Sequence, residues 1–179
     1  EIASLREELG IPATATVVAK ISRLEKRKGY PHFLRAAQRV CQSCSPQQSG
    51  VYFLIVGDGP ELEPMKEYAE ELGIAEQVIF TGYRADVERM FAVADIVALT
   101  SLWEGLPRVL VQAAAVGRPI VTFNCDGAWE IVEEGRTGYI VGMRDEEALA
   151  RQLDRLVADR KLREEMGRLA RAKVDASWS

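Results

Sequence analysis

Short apolar runs alternate with amphipathic stretches along the whole chain. Runs at 17–22, 51–56, 78–81, 95–100, 119–123 and 139–141 predict six strands. Several are unbroken, as in Val51-Tyr52-Phe53-Leu54-Ile55-Val56. That pattern belongs to strands whose two faces are both covered by helices. Between the runs, apolar residues recur at helical spacing. Phe33, Leu34, Ala37, Val40 and Cys41 share one face, as do Leu62, Met65, Ala69 and Leu72, and then Val87, Met90, Phe91 and Ala94. Two further stripes follow the last strand: Leu149, Leu153, Leu156 and Val157, then Leu162, Met166, Leu169 and Ala170. Alternation of this kind predicts parallel βαβ units, an α/β fold with a doubly wound parallel sheet in one domain over 1–179. The Ser-, Pro- and Gln-containing segment 44–50 predicts a surface loop. Ligands of such sheets lie beyond the carboxyl ends of the strands, which makes the residues after each strand the candidate site.

Composition narrows the classes. Hydrophobic residues make up 47% of the 179 and charged residues 28%, a globular balance that argues against wholesale disorder. No apolar run approaches the roughly 20 residues that span a bilayer, and no transmembrane segment is expected. No basic segment followed by an apolar stretch opens the chain, so a soluble, cytoplasmic protein is expected. Lys and Arg number 23 against 27 Asp and Glu, a net charge of -4, which argues against nucleic-acid binding. A local basic pocket for a small phosphate ligand remains compatible with it. Three cysteines, Cys41, Cys44 and Cys125, fit a reducing compartment better than a disulfide framework. Cys41-x-x-Cys44 lacks a second pair, and His32 is the only histidine, so no metal site is predicted. The pair also closes a predicted helix, whereas a thioredoxin-like motif would open one. His32, without triad partners at suitable spacing, is expected at the surface or capping a helix.

Candidate chemistry gathers after the strands. Arg23 and Lys28 flank the turn after the first strand; they suit a diphosphate, or else belong to a solvated charged turn. Gly57-Asp58-Gly59-Pro60 follows the second strand and predicts a tight turn near a ligand. It is no dinucleotide fingerprint, because Leu62 stands where G-x-G-x-x-G needs Gly or Ala. After the third strand, Tyr83 and Arg84 could face a nucleobase; alternatively Asp86 caps the next helix and Tyr83 packs. The fourth strand leads into Glu104-Gly105-Leu106-Pro107-Arg108-Val109, with Pro107 at the first helical position and Gly117 just past the helix end. The amides of Arg108 and Val109 would then be free donors for an anion at a helix N-terminus, with Glu104 before the helix and Gln112 on the face of Arg108. Simple capping by Glu104 is the alternative.

In these residues the sequence resembles the C-terminal, donor-binding domain of family 4 retaining glycosyltransferases, a Rossmann-like half of the GT-B fold. The motifs are Arg23-Leu24 with Lys28-Gly29, Val56-Gly57-Asp58-Gly59-Pro60, Glu104 through Gln112 on the family's E-x7-E motif, Gly117-Arg118-Pro119, and Glu130-Ile131-Val132 to Gly138. The resemblance implies a nucleotide-diphosphate sugar as donor, transferred with retention to an acceptor hydroxyl, and no metal or other cofactor. Arg23 and Lys28 would offset the charge of the leaving diphosphate, and Glu104 would bond donor-sugar hydroxyls. Backbone at Leu106, Pro107, Arg108 and Val109 would meet phosphate, Gly57 would lie beside the donor, and Tyr83 and Arg84 would face the base. Gln112 stands where the family has a second acid that bonds the ribose, a neutral amide in place of a charge. The donor phosphate itself would take the acceptor's proton. The resemblance also implies a partner: an N-terminal acceptor domain, without which this domain would not transfer sugar. A non-catalytic nucleotide-binding module or one half of a sugar-nucleotide epimerase on the same fold are the alternatives.

Overall fold

The computed structural model describes residues 1–44 and 50–178. Its strands are β1 (Thr16–Ile21), β2 (Val51–Val56), β3 (Val78–Phe80), β4 (Ile96–Leu99), β5 (Ile120–Phe123) and β6 (Gly138–Val141). All pair in parallel, in the order β3-β2-β1-β4-β5-β6. Each strand coincides with an apolar run of the sequence to within one residue at either end. The loop predicted at 44–50 falls largely on 45–49, outside the described residues.

The helices are α1 (Ile2–Glu8), α2 (Tyr30–Ser43), α3 (Leu62–Glu71), α4 (Val87–Val93), α5 (Arg108–Ala115), α6 (Ala128–Ile131), α7 (Glu146–Ala158) and α8 (Arg160–Trp178). The unbroken apolar run of β2 is explained by its neighbours on both sides. Phe53 and Ile55 join a core with α2, α3 and α7, while Leu54 and Val56 join the opposite core with α1, α4, α5, α6 and α8. Period-2 alternation therefore sends every second side chain into a different apolar layer, and neither face can be polar. Fully burying each such Leu, Ile or Phe contributes roughly 1.5–3 kcal/mol. Among the described residues, no helix is long and apolar enough to cross a membrane.

The order of strands positions the site. Moving along the chain, β1, β2 and β3 step one way across the sheet, while β4, β5 and β6 step the other way. The connections leaving β1 and β4 therefore part at their carboxyl ends, the switch point at which sheets of this kind form their ligand crevice.

Candidate functional site

Two loops line this crevice, one from β1 and one from β4. The β1 loop runs through Ser22, Arg23 and Leu24 into a single 3-10 turn, Lys26–Lys28, and ends at Gly29, which starts α2. Gly29 has a positive φ of 63°, and a Cβ there would stand 2.0 Å from the Thr100 carbonyl oxygen. Only glycine permits that approach. The buried Thr100 hydroxyl donates toward the carbonyls of Lys28 and Gly29 (3.0 and 2.9 Å), and the Leu102 amide donates to the Arg27 carbonyl at 2.8 Å. These bonds zip the two loops together.

The zipped loops bring Lys28 against Glu104. Their side chains form a hydrogen-bonded ion pair, each side chain only 11% exposed. The Ser101 hydroxyl donates to the same carboxylate at 2.8 Å, and Arg27 approaches it at 3.8 Å. Burial alone would push the Glu104 carboxyl up. The hydrogen bonds from Lys28 and Ser101 and the charges of Lys28 and Arg27 outweigh that and hold it below the ordinary glutamate range. Glu104 is therefore an ion at neutral pH, and it does not cap α5.

Around this pair the other candidates take distinct places. Arg23 is 63% exposed at the loop's rim, 3.7 Å from Glu25, and makes no pair with Glu104. Pro107 stands at the N-cap of α5, one position earlier than the sequence reading, so Arg108 and Val109 begin the helix. The first turn already closes with the Leu110 amide donating to the Pro107 carbonyl at 3.0 Å, so Arg108 and Val109 carry the amides that precede that bond at the helix start after β4. Arg108 and Gln112 are both exposed on that helix, and Gly117, with φ of 73°, ends it as expected. Leu106 is also exposed, as is Trp103.

Gly57 begins the turn after β2. A Cβ on it would lie 2.0 Å from the Ser22 carbonyl oxygen, so the Gly-Asp-Gly-Pro turn is pressed onto the β1 loop. The Asp58 carbonyl accepts the Leu24 amide at 3.0 Å, and Gly57 bridges Gly82 across the next loop. Tyr83 on that loop is 78% exposed and does not pack. Arg84 is held by both oxygens of Asp86 (2.8 Å each) and by Glu8 at 3.0 Å. Asp86 occupies the N-cap position of α4, yet its carboxylate serves Arg84 and Arg89 rather than a helix amide. The capping alternative fails, since Asp86 makes no side-chain cap and Tyr83 does not pack, while Arg84 is tied to carboxylates.

His32 departs from its expected place. It is half-buried, with Nδ1 2.6 Å from Glu146, and its ring meets Phe123 edge-on at 5.7 Å. Arg35 forks onto the same carboxylate, which ties α2 to the start of α7. The sequence offers no signal for this, because His32 and Glu146 are far apart in the chain. Cys44 ends α2, as its spacing from Cys41 implied, and among the described residues no group of three or more His, Cys, Asp or Glu side chains is placed to hold a metal ion. Thr100, Ser101, Arg27 and the wholly buried Lys20 were not singled out as site residues from sequence. Thr100 and Ser101 could have been, as hydroxyls at a strand end beside the turn.

The chain matches the family described as glycosyl transferases group 1 over residues 1–173. It belongs to that family, and its sheet is the Rossmann-like half of a GT-B glycosyltransferase. It is 32% identical over 158 residues to the lipopolysaccharide core biosynthesis glycosyltransferase LpsE of Rhizobium meliloti, covering 88% of this chain and 44% of that protein. It is 36% identical over 171 residues to the D-inositol 3-phosphate glycosyltransferase of Corynebacterium jeikeium, covering 92% of this chain and 41% of that one. The chain thus spans less than half the length of these relatives. Among solved structures it resembles Anabaena Alr3699/HepE in complex with UDP-glucose, with a TM-score of 0.89 and 30% identity over 99% of this chain and 48% of that chain.

Proposed function

We propose that this chain is the donor-binding part of a retaining glycosyltransferase, holding a nucleoside-diphosphate sugar for transfer to an acceptor hydroxyl. The observation that carries the reading is the Lys28–Glu104 pair, buried at the meeting of β1 and β4. A buried cation beside a carboxylate, next to an open helix start, suits a diphosphate joined to a sugar. The ammonium and the amides of Arg108 and Val109 meet the phosphates, and Glu104 accepts from sugar hydroxyls. The UDP-glucose complex of the HepE relative supports the ligand class.

In this reading, Lys28 trades its bond to Glu104 for the diphosphate. Arg23, exposed at the rim beside Glu25, turns from that partner and folds over the phosphates. Leu106 and Pro107 lend the backbone that abuts the phosphate, and Gly57, by letting its turn press onto the β1 loop, shapes the strand ends beside the donor. Tyr83 and Arg84 bound the nucleobase, and Gln112 reaches the ribose diol through its amide. As the sugar leaves, charge grows on the departing diphosphate, and the fixed cations offset it, with no metal ion required. The departing phosphate accepts the proton of the attacking hydroxyl. The acceptor is held by an N-terminal domain across the cleft, and the domain described here does not transfer sugar without it.

Calorimetric titration with UDP, GDP and ADP in EDTA tests the reading. One diphosphate binds, and Lys28→Ala abolishes that binding. Failure of all three to bind, or binding unchanged in Lys28→Ala, overturns it.

A further inference from the structure

Lys20 is near enough to this site for its charge to act on Lys28 and Glu104, yet it bonds to neither. It belongs to β1, its side chain is 0% exposed, and its Nζ has no hydrogen-bond partner among the described residues. Its Nζ lies over the face of the Tyr30 ring, 4.5 Å from the centroid. A buried ammonium that finds only a ring face is costly unless something requires it.

The ionisable groups acting on Lys20 come from each element around it. They are Tyr30 of α2, Lys28 of the 3-10 turn, Glu104 of the loop after β4, and Cys125 of the loop after β5. Tyr30 is no anion, because burial raises its hydroxyl well above the usual range and it donates to the Ser22 carbonyl at 3.0 Å. Burial also raises the Cys125 thiol. Glu104 is then the one carboxylate in the set, and Lys28 already holds it. Two ammonium groups beside one carboxylate repel each other in a site sheltered from water.

We propose that Lys20 is a positioning residue of the donor site: when a diphosphate draws Lys28 away from Glu104, Lys20 takes a proton from solvent and becomes the replacement cation. The arriving phosphates add negative charge and share the ammonium of Lys28, so the second cation becomes favourable. Glu104 thereby stays ionised and in place for sugar hydroxyls while Lys28 serves the phosphates. In the free protein, burial first, and the charge of Lys28 after it, bring the Lys20 ammonium down to about 7, so the amine has a proton to gain at neutral pH. This inference rests on the donor reading above.

The test is calorimetric titration of the chain with UDP-glucose and with GDP-mannose, at pH 7.5, in three buffers of different ionisation enthalpy. The diphosphate of a nucleotide sugar is esterified at both ends, so no phosphate of the ligand titrates here. The expected result is uptake of roughly 0.5–0.8 proton per ligand bound, with affinity falling as pH rises from 7 to 8.5. Lys20→Met should still bind, without proton uptake. Binding with no uptake, or with the same uptake in Lys20→Met, overturns the role of Lys20 and leaves the donor reading standing. Absence of binding by the unaltered chain overturns both. Should Lys20→Met fail to fold, NMR of the unaltered chain carrying lysine labelled with carbon-13 at Cε decides. The Lys20 resonance titrates near neutrality and moves to higher pH with ligand; one that ignores the ligand refutes the proposal.

Discussion

Replacing Lys20 by methionine keeps the unbranched stem as far as Cε and removes the amine. In the folded protein the ammonium titrates at about 7, against an ordinary value of 10.5, because burial penalises the charge. A folded value below the unfolded one means that, between the two, the unfolded chain binds more protons, so stability climbs as pH rises through that window. At about 1.4 kcal/mol per pH unit, the climb from pH 7 to 8.5 amounts to roughly 1.5 kcal/mol, the free protein being already half deprotonated at the lower end. The window stops at 8.5 because the raised thiols of Cys41, Cys44 and Cys125 work in the opposite sense above their ordinary value of 9.0. At pH 7 the variant should be more stable by about 2–4 kcal/mol, the upper figure reduced by the lost contact with Tyr30. Urea unfolding followed by circular dichroism, on both proteins at three pH values, reads this directly. The difference between them should shrink as pH rises. A variant less stable than its parent at pH 7, or a gap that does not change with pH, would show that the buried amine carries no such penalty.

Two further expectations concern the loops that make the pair. Gly29→Ala would drive a Cβ to 2.0 Å from the Thr100 carbonyl at a positive φ of 63°, and should cost at least about 2 kcal/mol and weaken diphosphate binding by displacing Lys28. An unchanged melting temperature would contradict the close approach of the two loops. Glu104, held below the ordinary glutamate range, contributes stability that is present above that range and lost as pH falls through its folded value. Glu104→Gln should therefore flatten the acid limb of a stability-against-pH curve and cost roughly 1–3 kcal/mol at pH 7. Parallel acid limbs for the two proteins would count against the pairing.

The strands and their flanking helices were legible because both periodicities are local. An unbroken run such as that of β2 admits one arrangement, apolar layers on each side, and the observed cores follow. Short helices leave weaker marks: α1 and α6, seven and four residues long, span too little chain for a helical period to show. In the candidate site, the sequence singles out both Lys28 and Glu104, since each follows a strand end within a recognisable motif. It does not show their pairing, which depends on Thr100 and a backbone contact between Arg27 and Leu102. His32 was misplaced for the same reason: its partner Glu146 lies on another helix, and nothing near His32 in the chain announces it.

Sequence alone determined the class of fold, the places where strands end, and the residue types waiting there, because side-chain period and turn chemistry act over a few residues. Tertiary structure decided which of those residues meet. Strand order puts β1 beside β4, so Lys28 and Glu104 share one carboxylate-ammonium bond while Arg23 stays at the rim and Arg84 turns to Asp86. It also decided the state of Lys20. A lysine in a strand looks like any surface cation until the sheet, α2 and two loops close over it, and only then does the cost of its charge give it something to do.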